Sequence, residues 1–386
     1  MESSAILKYN IEQEFISNFG APEVLLFAPG RANIIGEHTD YNEGFVLPFA
    51  IGQGIYFYAS KVKNSTVKII AADIQESSTF DLKEDHVAKY GWEKFVFQVI
   101  EALGRENIAG FNLVFGGDLP IGGGISSSSA LTCGLVSLMN DLFDLGFTKD
   151  DIVWKSVEAE RGYGVRGGIM DQFTIVNAIK DCAILLDCKD NSYLQIPLHL
   201  SNHSFYLFNT NVKHNLLHTD YNNRRAECET AVEIIAKSYR PISSLRDLYI
   251  SDIDQIKDIL NDRLFRRVSF VIKENQRVID AKQALLDNDL VQIGKLLSAS
   301  HEGLSQDYEV SCHELDLLVT MASENENILG ARMMGGGFGG CTINLVKGPL
   351  GQNWIDEISQ MYKLNFGMDM SILPIQSGDG IKLYQL

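Results

Sequence analysis

The sequence has 386 residues, a formal net charge of −17, and a composition that is 45% hydrophobic and 22% charged. Such a length exceeds one ordinary core and points to two domains, and the composition is that of a globular chain, which excludes long disorder. The acidic balance excludes nucleic acid or an anionic membrane held by the overall field, so an anionic ligand must be met locally by backbone N–H groups, a metal and a few Arg or Lys side chains.

Six cysteines, at 133, 182, 188, 228, 312 and 341, form no CxxC pair and are spaced too widely for a zinc site. The N-terminal residues lack a signal-peptide pattern, and no apolar run approaches the ~18 residues of a membrane span. The expectation is a cytoplasmic protein with reduced thiols. Its 33 glycines cluster at 116–124, 162–168 and 335–340. Such clusters mark backbone that approaches a neighbour closely or takes a positive φ.

In chain order, Val24–Phe27, Gly54–Ser60, Thr66–Ala71 and Gly110–Phe115 read as strands. Residues 126–144 read as a helix with Leu131, Leu135, Leu138, Met139 and Leu142 on one apolar face. Thr148 and Asp151 form a capping-box pattern for a second helix ending near Arg161. From 173 onward the pattern predicts another helix, then strands Ala183–Asp187 and Tyr193–Pro197. Helical periodicity follows over 222–238, 252–259, 265–287 and 289–301, with strands at Phe205–Asn209, Thr342–Val346 and Ile381–Tyr384. A boundary near 195–205 divides the chain into 1–198 and 199–386. Strands alternate irregularly with helices, which indicates an α+β class rather than a doubly wound sheet.

Four segments carry chemistry. The first, 119–131 (LPIGGGISSSSAL), follows a strand and opens an apolar-faced helix. Gly122, Gly123 and Gly124 let backbone wrap a ligand, and Ser126 to Ser129 add hydroxyls where free N–H groups and the helix dipole favour an anion. A serine hydroxyl there can also ligate the Mg²⁺ that accompanies ATP. The stretch equally fits a capped turn, and it is neither a Walker A loop nor part of a protein-kinase set. The second, 28–48, crowds Arg31, Glu37, His38, Asp40 and Tyr41 together, a donor and acceptor set suited to vicinal sugar hydroxyls or to a solvated turn. The third, Gly335–Thr342, has five glycines in six residues before a strand. The fourth, 167–172, places Asp171 after a glycine pair, as a cap or a functional carboxylate.

Taken together, GRANIIGEHTDYNEGFVLP (30–48), LPIGGGISSSSAL and ARMMGGGFGGCTINLV (331–346) resemble, in order, the signature segments of the GHMP kinase family, on its galactose-phosphorylating branch. NTNVKHNLLHTDYNNRRAECE (209–229), ENQRV (274–278) and DYEVSCHELD (307–316) are similar to further stretches of that branch. The resemblance implies a two-domain fold with mixed and antiparallel sheets, the active site in the interdomain cleft, ATP as co-substrate, Mg²⁺, and no obligatory protein partner. It implies that Asp171 is the catalytic aspartate and Arg31 the arginine beside the reacting hydroxyl. Glu37, His38, Thr39, Asp40, Tyr221 and the Gly167–Gly168 backbone match sugar-binding positions. Gly122, Gly123, Gly124, Ile125, Ser126, Ser127 and Ser128 match the ATP loop, Trp92 an aromatic near the adenine, and Ser128 and Glu160 the Mg²⁺ positions.

The implied reaction moves the γ-phosphoryl of ATP to the anomeric C1 hydroxyl of galactose. Such transfer needs in-line positioning, charge neutralisation and an acceptor for the hydroxyl proton. Asp171 fits the last role, with Arg31 holding it ionised. The chain departs from the family in the segment 159–171, which is one residue short, has Gly167 where Cys or Ser is common, and carries Arg166. Glu158 then competes with Glu160 for the metal position. Met334 and Lys94 replace a usual Thr and Asn. Two alternatives stay open: a related sugar (N-acetylgalactosamine, L-arabinose or galacturonate, the last pairing with Arg166), and a non-catalytic galactose and ATP sensor. The complete Ser126–Ala130 run, Arg31 and Asp171 speak for the catalyst.

Overall fold

The computed structural model describes residues 2–120, 123–164, 166–212 and 217–384. Its first half runs α1 (Glu2–Phe19), β1 (Val24–Asn33), β2 (Phe45–Val46), β3 (Pro48–Lys61), β4 (Thr66–Ala71), β5 (Glu76–Asp81), α2 (Gly91–Leu103), β6 (Phe111–Gly117), α3 (Ser127–Phe143), α4 (Lys149–Tyr163), α5 (Met170–Asn177), β7 (Cys182–Asp187) and β8 (Tyr193–Pro197). The second half runs β9 (His203–Asn209), α6 (Leu217–Ser238), α7 (Ile253–Ile256), α8 (Asp262–Leu286), α9 (Leu290–Glu302), α10 (His313–Ser323), β10 (Ile328–Met334), β11 (Cys341–Lys347), α11 (Gln352–Phe366), β12 (Ser371–Ile375) and β13 (Lys382–Tyr384).

The strands form a mixed six-stranded sheet ordered β13-β1-β3-β6-β4-β5, a four-stranded sheet β10-β11-β9-β12 and a three-stranded sheet β2-β7-β8. Among the described residues only the β4–β6 pairing is parallel. This is the α+β arrangement of sheets and helices expected above. The five predicted apolar residues of α3 are all buried, and they pack with Val96, Val99 and Ile100 of α2 over β3 and β6. The Thr148–Asp151 capping box is present, the Asp151 N–H donating to Thr148 Oγ1 at 3.2 Å.

β1 runs past the expected Phe27 to Asn33, with an irregularity between Pro29 and Arg31. Arg31 therefore projects from a sheet rather than from a loop. Elements missing from the sequence reading include α1, α2, α10, β10, α11 and β12, of which α2 and β10 are largely buried and α11 buries only Ile358 and Tyr362. In α1, Ile11 and Phe15, four residues apart, lodge against Tyr58 and Val114 of the first sheet.

The chain passes between halves from β8 to β9, yet β13 returns to pair with β1, Leu25 opposite Tyr384. A shared core joins Ala32, Ile34, Leu47 and Phe49 to Phe205, Leu207, Ile343 and Leu345. The halves are thus interlocked through a shared core and a returning strand. No helix of the described residues is long and apolar enough to cross a membrane.

Candidate active site

The segment after β1 turns sharply at Gly36, whose φ of +99° suits glycine. This turn delivers Glu37, His38 and Asp40 into a cavity that also has Arg31, Ser128, Ser129, Glu160, Gly167, Gly168, Asp171, Tyr221, Gly335 and Gly336 in its wall. The turn is anchored from the other half of the chain. The Gly36 N–H donates to Glu274 Oε1 at 2.9 Å, and the Phe45 N–H to Asn275 Oδ1 at 2.8 Å. Arg332, fully buried, pairs with Glu37 at 3.1 Å and donates to the carbonyls of Ile34 and Asn33. The Gly335 N–H adds a bond to Glu37 Oε1 at 2.9 Å. A buried carboxylate is tolerable only with such partners.

Burial, with Asp171 and Glu37 nearby, pushes the Asp40 carboxyl up to about 6 against the pull of the Tyr41 N–H and Arg31. Burial and the positive charge of Arg224 press His38 down to about 3, so the imidazole is neutral near neutral pH. Tyr221 lies 5.3 Å from His38 ring to ring, and burial raises its hydroxyl pKa well above the usual value. A Cβ on Gly168 would lie 2.2 Å from Asp40 Oδ2, so a side chain there would displace that carboxylate.

At the centre, Arg31 Nε donates to Asp171 Oδ1 at 2.8 Å, and its Nη1 to the Gly124 carbonyl at 2.5 Å. The Ser126 hydroxyl donates to the other Asp171 oxygen. Burial opposes the Arg31 charge, but Asp171, Glu37 and Asp40 hold its pKa raised. Asp171 sits in the first turn of α5, and Ser126 takes a left-handed conformation (φ 59°) just before α3. Two helix N-termini therefore meet at one carboxylate, where both dipoles favour negative charge.

A second cavity adjoins the first at Ser128. Its wall includes Ile55, Asp73, Trp92, Phe95, Phe115, Leu119, Ser127 and Leu131. Trp92 is oriented by its Nε1–H bond to Glu76 at 2.7 Å and by a stacked Tyr90, 5.8 Å between ring centres. The glycine loop beside it is wedged against the third glycine-rich motif: Gly124 has φ +69°, and a Cβ there would lie 2.9 Å from the Met334 carbonyl. Burial raises the Glu160 carboxyl to about 7, against hydrogen bonds from Ser129 and Thr132.

Most of the sequence-predicted site residues converge here, with instructive exceptions. Gly122 lies outside the described residues. Thr39 is fully buried and absent from the cavity wall, its hydroxyl shared between the Gly36 and Phe45 carbonyls. Ile125 is a core side chain whose carbonyl accepts from the Arg31 N–H at 3.2 Å. Ser126 faces Asp171. Glu158 is exposed and pairs with Lys155 at 3.1 Å, leaving Glu160 as the one of the two that reaches the cavity. Arg166 turns away from the cavity to Glu229 at 2.9 Å, while Arg225 donates to the Arg166 carbonyl at 2.7 Å and so pins the shortened loop to α6. Lys94 is exposed on α2 and outside both cavity walls. Arg332, Glu274, Asn275 and Tyr308 were missed as individuals although their segments had been singled out. Their roles depend on contacts across the halves, which spacing does not reveal.

The chain matches the galactokinase galactose-binding signature over residues 13–61, the N-terminal domain of GHMP kinases over 94–178 and the C-terminal domain over 281–363. It is 38% identical to the galactokinase of Clostridium acetobutylicum, covering 93% of this chain and 94% of that one. It is 39% identical to that of Clostridium perfringens, covering 96% and 98%. The solved structure of Lactococcus lactis galactokinase complexed with galactose superposes with a TM-score of 0.91 at 32% identity, covering 97% of this chain and 99% of that one. Methanococcus jannaschii mevalonate kinase shares the fold at 19% identity, with a TM-score of 0.64. A near full-length likeness of this kind, together with the three matched segments, places the chain in the galactokinase family of GHMP kinases.

Proposed function

We propose that this chain is a sugar 1-kinase that phosphorylates D-galactose at its C1 hydroxyl with ATP, giving galactose 1-phosphate and ADP in galactose catabolism. The observation that carries the reading is the position of Asp171, held by Arg31 and Ser126 where the cavity of Glu37, His38 and Asp40 meets the cavity of Ser127 and Trp92. Asp171 accepts the proton leaving the C1 hydroxyl. Arg31 orients that carboxylate through its Nε and offsets charge on the transferring group. Asp40, Glu37, His38 and Tyr221 orient the sugar, and Trp92 covers the adenine side.

The donor set suits Mg²⁺ arriving with ATP. Among the described residues no three ligating side chains cluster, and Mg²⁺ characteristically takes one or two carboxylates and fills its other positions with phosphate oxygens and water. Glu160 and the Ser128 hydroxyl would hold it, and it would neutralise charge at the β- and γ-phosphates. A cytoplasmic location, where ATP is supplied, belongs to the same proposal.

The orientation of Arg166 toward Glu229 argues against a uronate acceptor, and the placement of Asp171 argues against a sugar sensor. ADP release measured over a panel of free sugars tests the reading. Galactose-dependent turnover should fall at least about 10³-fold in Asp171→Ala, while galactose still binds by calorimetry. Turnover with another sugar only, or binding with no turnover in the unaltered protein, would overturn it.

A further inference from the structure

His38 is 4% exposed and faces the cavity, and its Nε2 has no partner within hydrogen-bond geometry among the described residues, although the Gly336 backbone lies near enough to the ring to favour its proton. Its Nδ1 lies 2.8 Å from Tyr41 Oη. Tyr41 Oη lies 2.8 Å from Tyr308 Oη, and Tyr308 Oη lies 3.2 Å from Cys228 Sγ. Four side chains from three segments thus form one chain of hydrogen bonds that starts in the core and ends at the cavity. Tyr308 comes directly after a π-helical turn, Gly303–Asp307, which interrupts the chain after α9. Turns of this kind often mark functional positions.

With each phenol spending its single proton within this chain, the bonds all run one way. Running inward, His38 Nδ1–H donates to Tyr41, and Nε2 offers a lone pair to the cavity. Running outward, the Cys228 thiol donates to Tyr308, Tyr308 to Tyr41 and Tyr41 to His38 Nδ1, so Nε2 carries the proton. Local charge selects between them. The inner end carries both signs, Glu227 and its partner Arg224, whose guanidinium is 5.9 Å from the Tyr308 ring, and so selects neither. The outer end faces Glu37, Asp40 and Asp171. A chain of aligned O–H dipoles places its positive end toward those carboxylates.

We propose that Tyr308 and Tyr41 are positioning residues that lock neutral His38 in the Nε2–H tautomer, making it a dedicated hydrogen-bond donor among sugar-binding carboxylates that can only accept. The proposal rests on the sugar-binding reading above. Glu37 and Asp40 recognise hydroxyls as donors, whereas His38 Nε2–H recognises one hydroxyl as an acceptor. The pocket thereby fixes the direction of a hydroxyl proton as well as the position of its oxygen, a basis for rejecting sugars that lack that acceptor.

The test is ¹⁵N spectroscopy of histidine-labelled protein, unaltered and as Tyr308→Phe and Tyr41→Phe, with galactose kinetics on each. The unaltered protein should show His38 protonated at Nε2 alone. Tyr308→Phe should shift His38 toward a tautomer mixture and raise KM for galactose about five- to tenfold, the weight of one neutral hydrogen bond, with kcat little changed. Tyr41→Phe cuts the last link and should do the same or more, so the idea stays testable if one variant folds poorly. Nδ1 protonation in the unaltered protein would overturn the proposal. So would the unaltered tautomer persisting in both variants, whatever happens to KM. The tautomer is read without turnover, so a failed galactose assay would count against the proposed function and leave this measurement decisive on its own.

Discussion

The two ends of the cleft solve opposite problems. At the sugar end, polar groups are sunk into the protein and fastened by partners, Glu37 by Arg332 and the Gly36 N–H by Glu274 from the other half of the chain, and His38 by nearby Tyr41. At the proposed nucleotide end the glycine-serine loop contributes Ser127 and Ser128 to a cavity wall that includes Trp92, Phe95 and Phe115. A neutral polyol must be held by directional acceptors and donors that are organised before it arrives, and holding buried carboxylates in place takes a second half of the chain. A triphosphate supplies its own charge, so free amides and a helix N-terminus suffice. Specificity for the sugar is therefore tied to global stability, while nucleotide binding is mainly a local property.

Arg332→Met should break this distinction most severely. It leaves Glu37 buried without its cation and the Asn33 and Ile34 carbonyls unpaired, and should destabilise the fold by about 3–5 kcal/mol. Urea unfolding reads this directly, and an unchanged midpoint would mean that the sugar end is not tied to the fold. Asp40→Asn should separate binding from stability. The folded pKa near 6 lies above the ordinary 3.8, so between those values the native state keeps a proton that the unfolded chain has released. Stability then falls as pH rises through that window. The amide removes the effect and should stabilise by at most about 3 kcal/mol near neutral pH and by nothing below about pH 4, while galactose affinity collapses. Thermal melts at the two pH values, paired with calorimetry, check both signs.

Trp92→Ala should raise KM for ATP about tenfold through lost stacking and leave KM for galactose nearly unchanged, while the loss of a buried core side chain also lowers the unfolding midpoint. An equal rise in both KM values would show that the nucleotide wall is coupled to the sugar end. The smallest effect is expected of Arg166→Ala, whose exposed ion pair with Glu229 contributes well under about 1 kcal/mol. Galactose kinetics should move less than about twofold, and no galacturonate turnover should appear or vanish with the substitution.

Much of the nucleotide end was legible in the sequence. The glycines, the serines and the helix that follows them are contiguous from 119 to 131, so the local pattern contains both the turn and the dipole that a phosphate meets. The capping box at Thr148 and the apolar face of α3 were readable for the same reason. Individual roles were less so. Ser126 belongs to the ATP-loop pattern but bonds Asp171, 45 residues away, and Thr39 belongs to the sugar pattern but ties the turn to itself. Whether Glu158 or Glu160 reaches the cavity turned on the rotation of α4, which one extra or missing loop residue leaves undetermined in sequence.

By itself the sequence determined the α+β class, the order of the motifs and the residue types able to move a phosphoryl group to a sugar hydroxyl, because those depend on local spacing and chemistry. Only the tertiary structure decided that β13 returns to the first sheet, that Arg332 and Glu274 hold the sugar turn, and that Tyr308 reaches His38 through Tyr41. Those contacts join residues from separate parts of the chain, and burial across the cleft selects them, a quantity that no stretch of sequence contains.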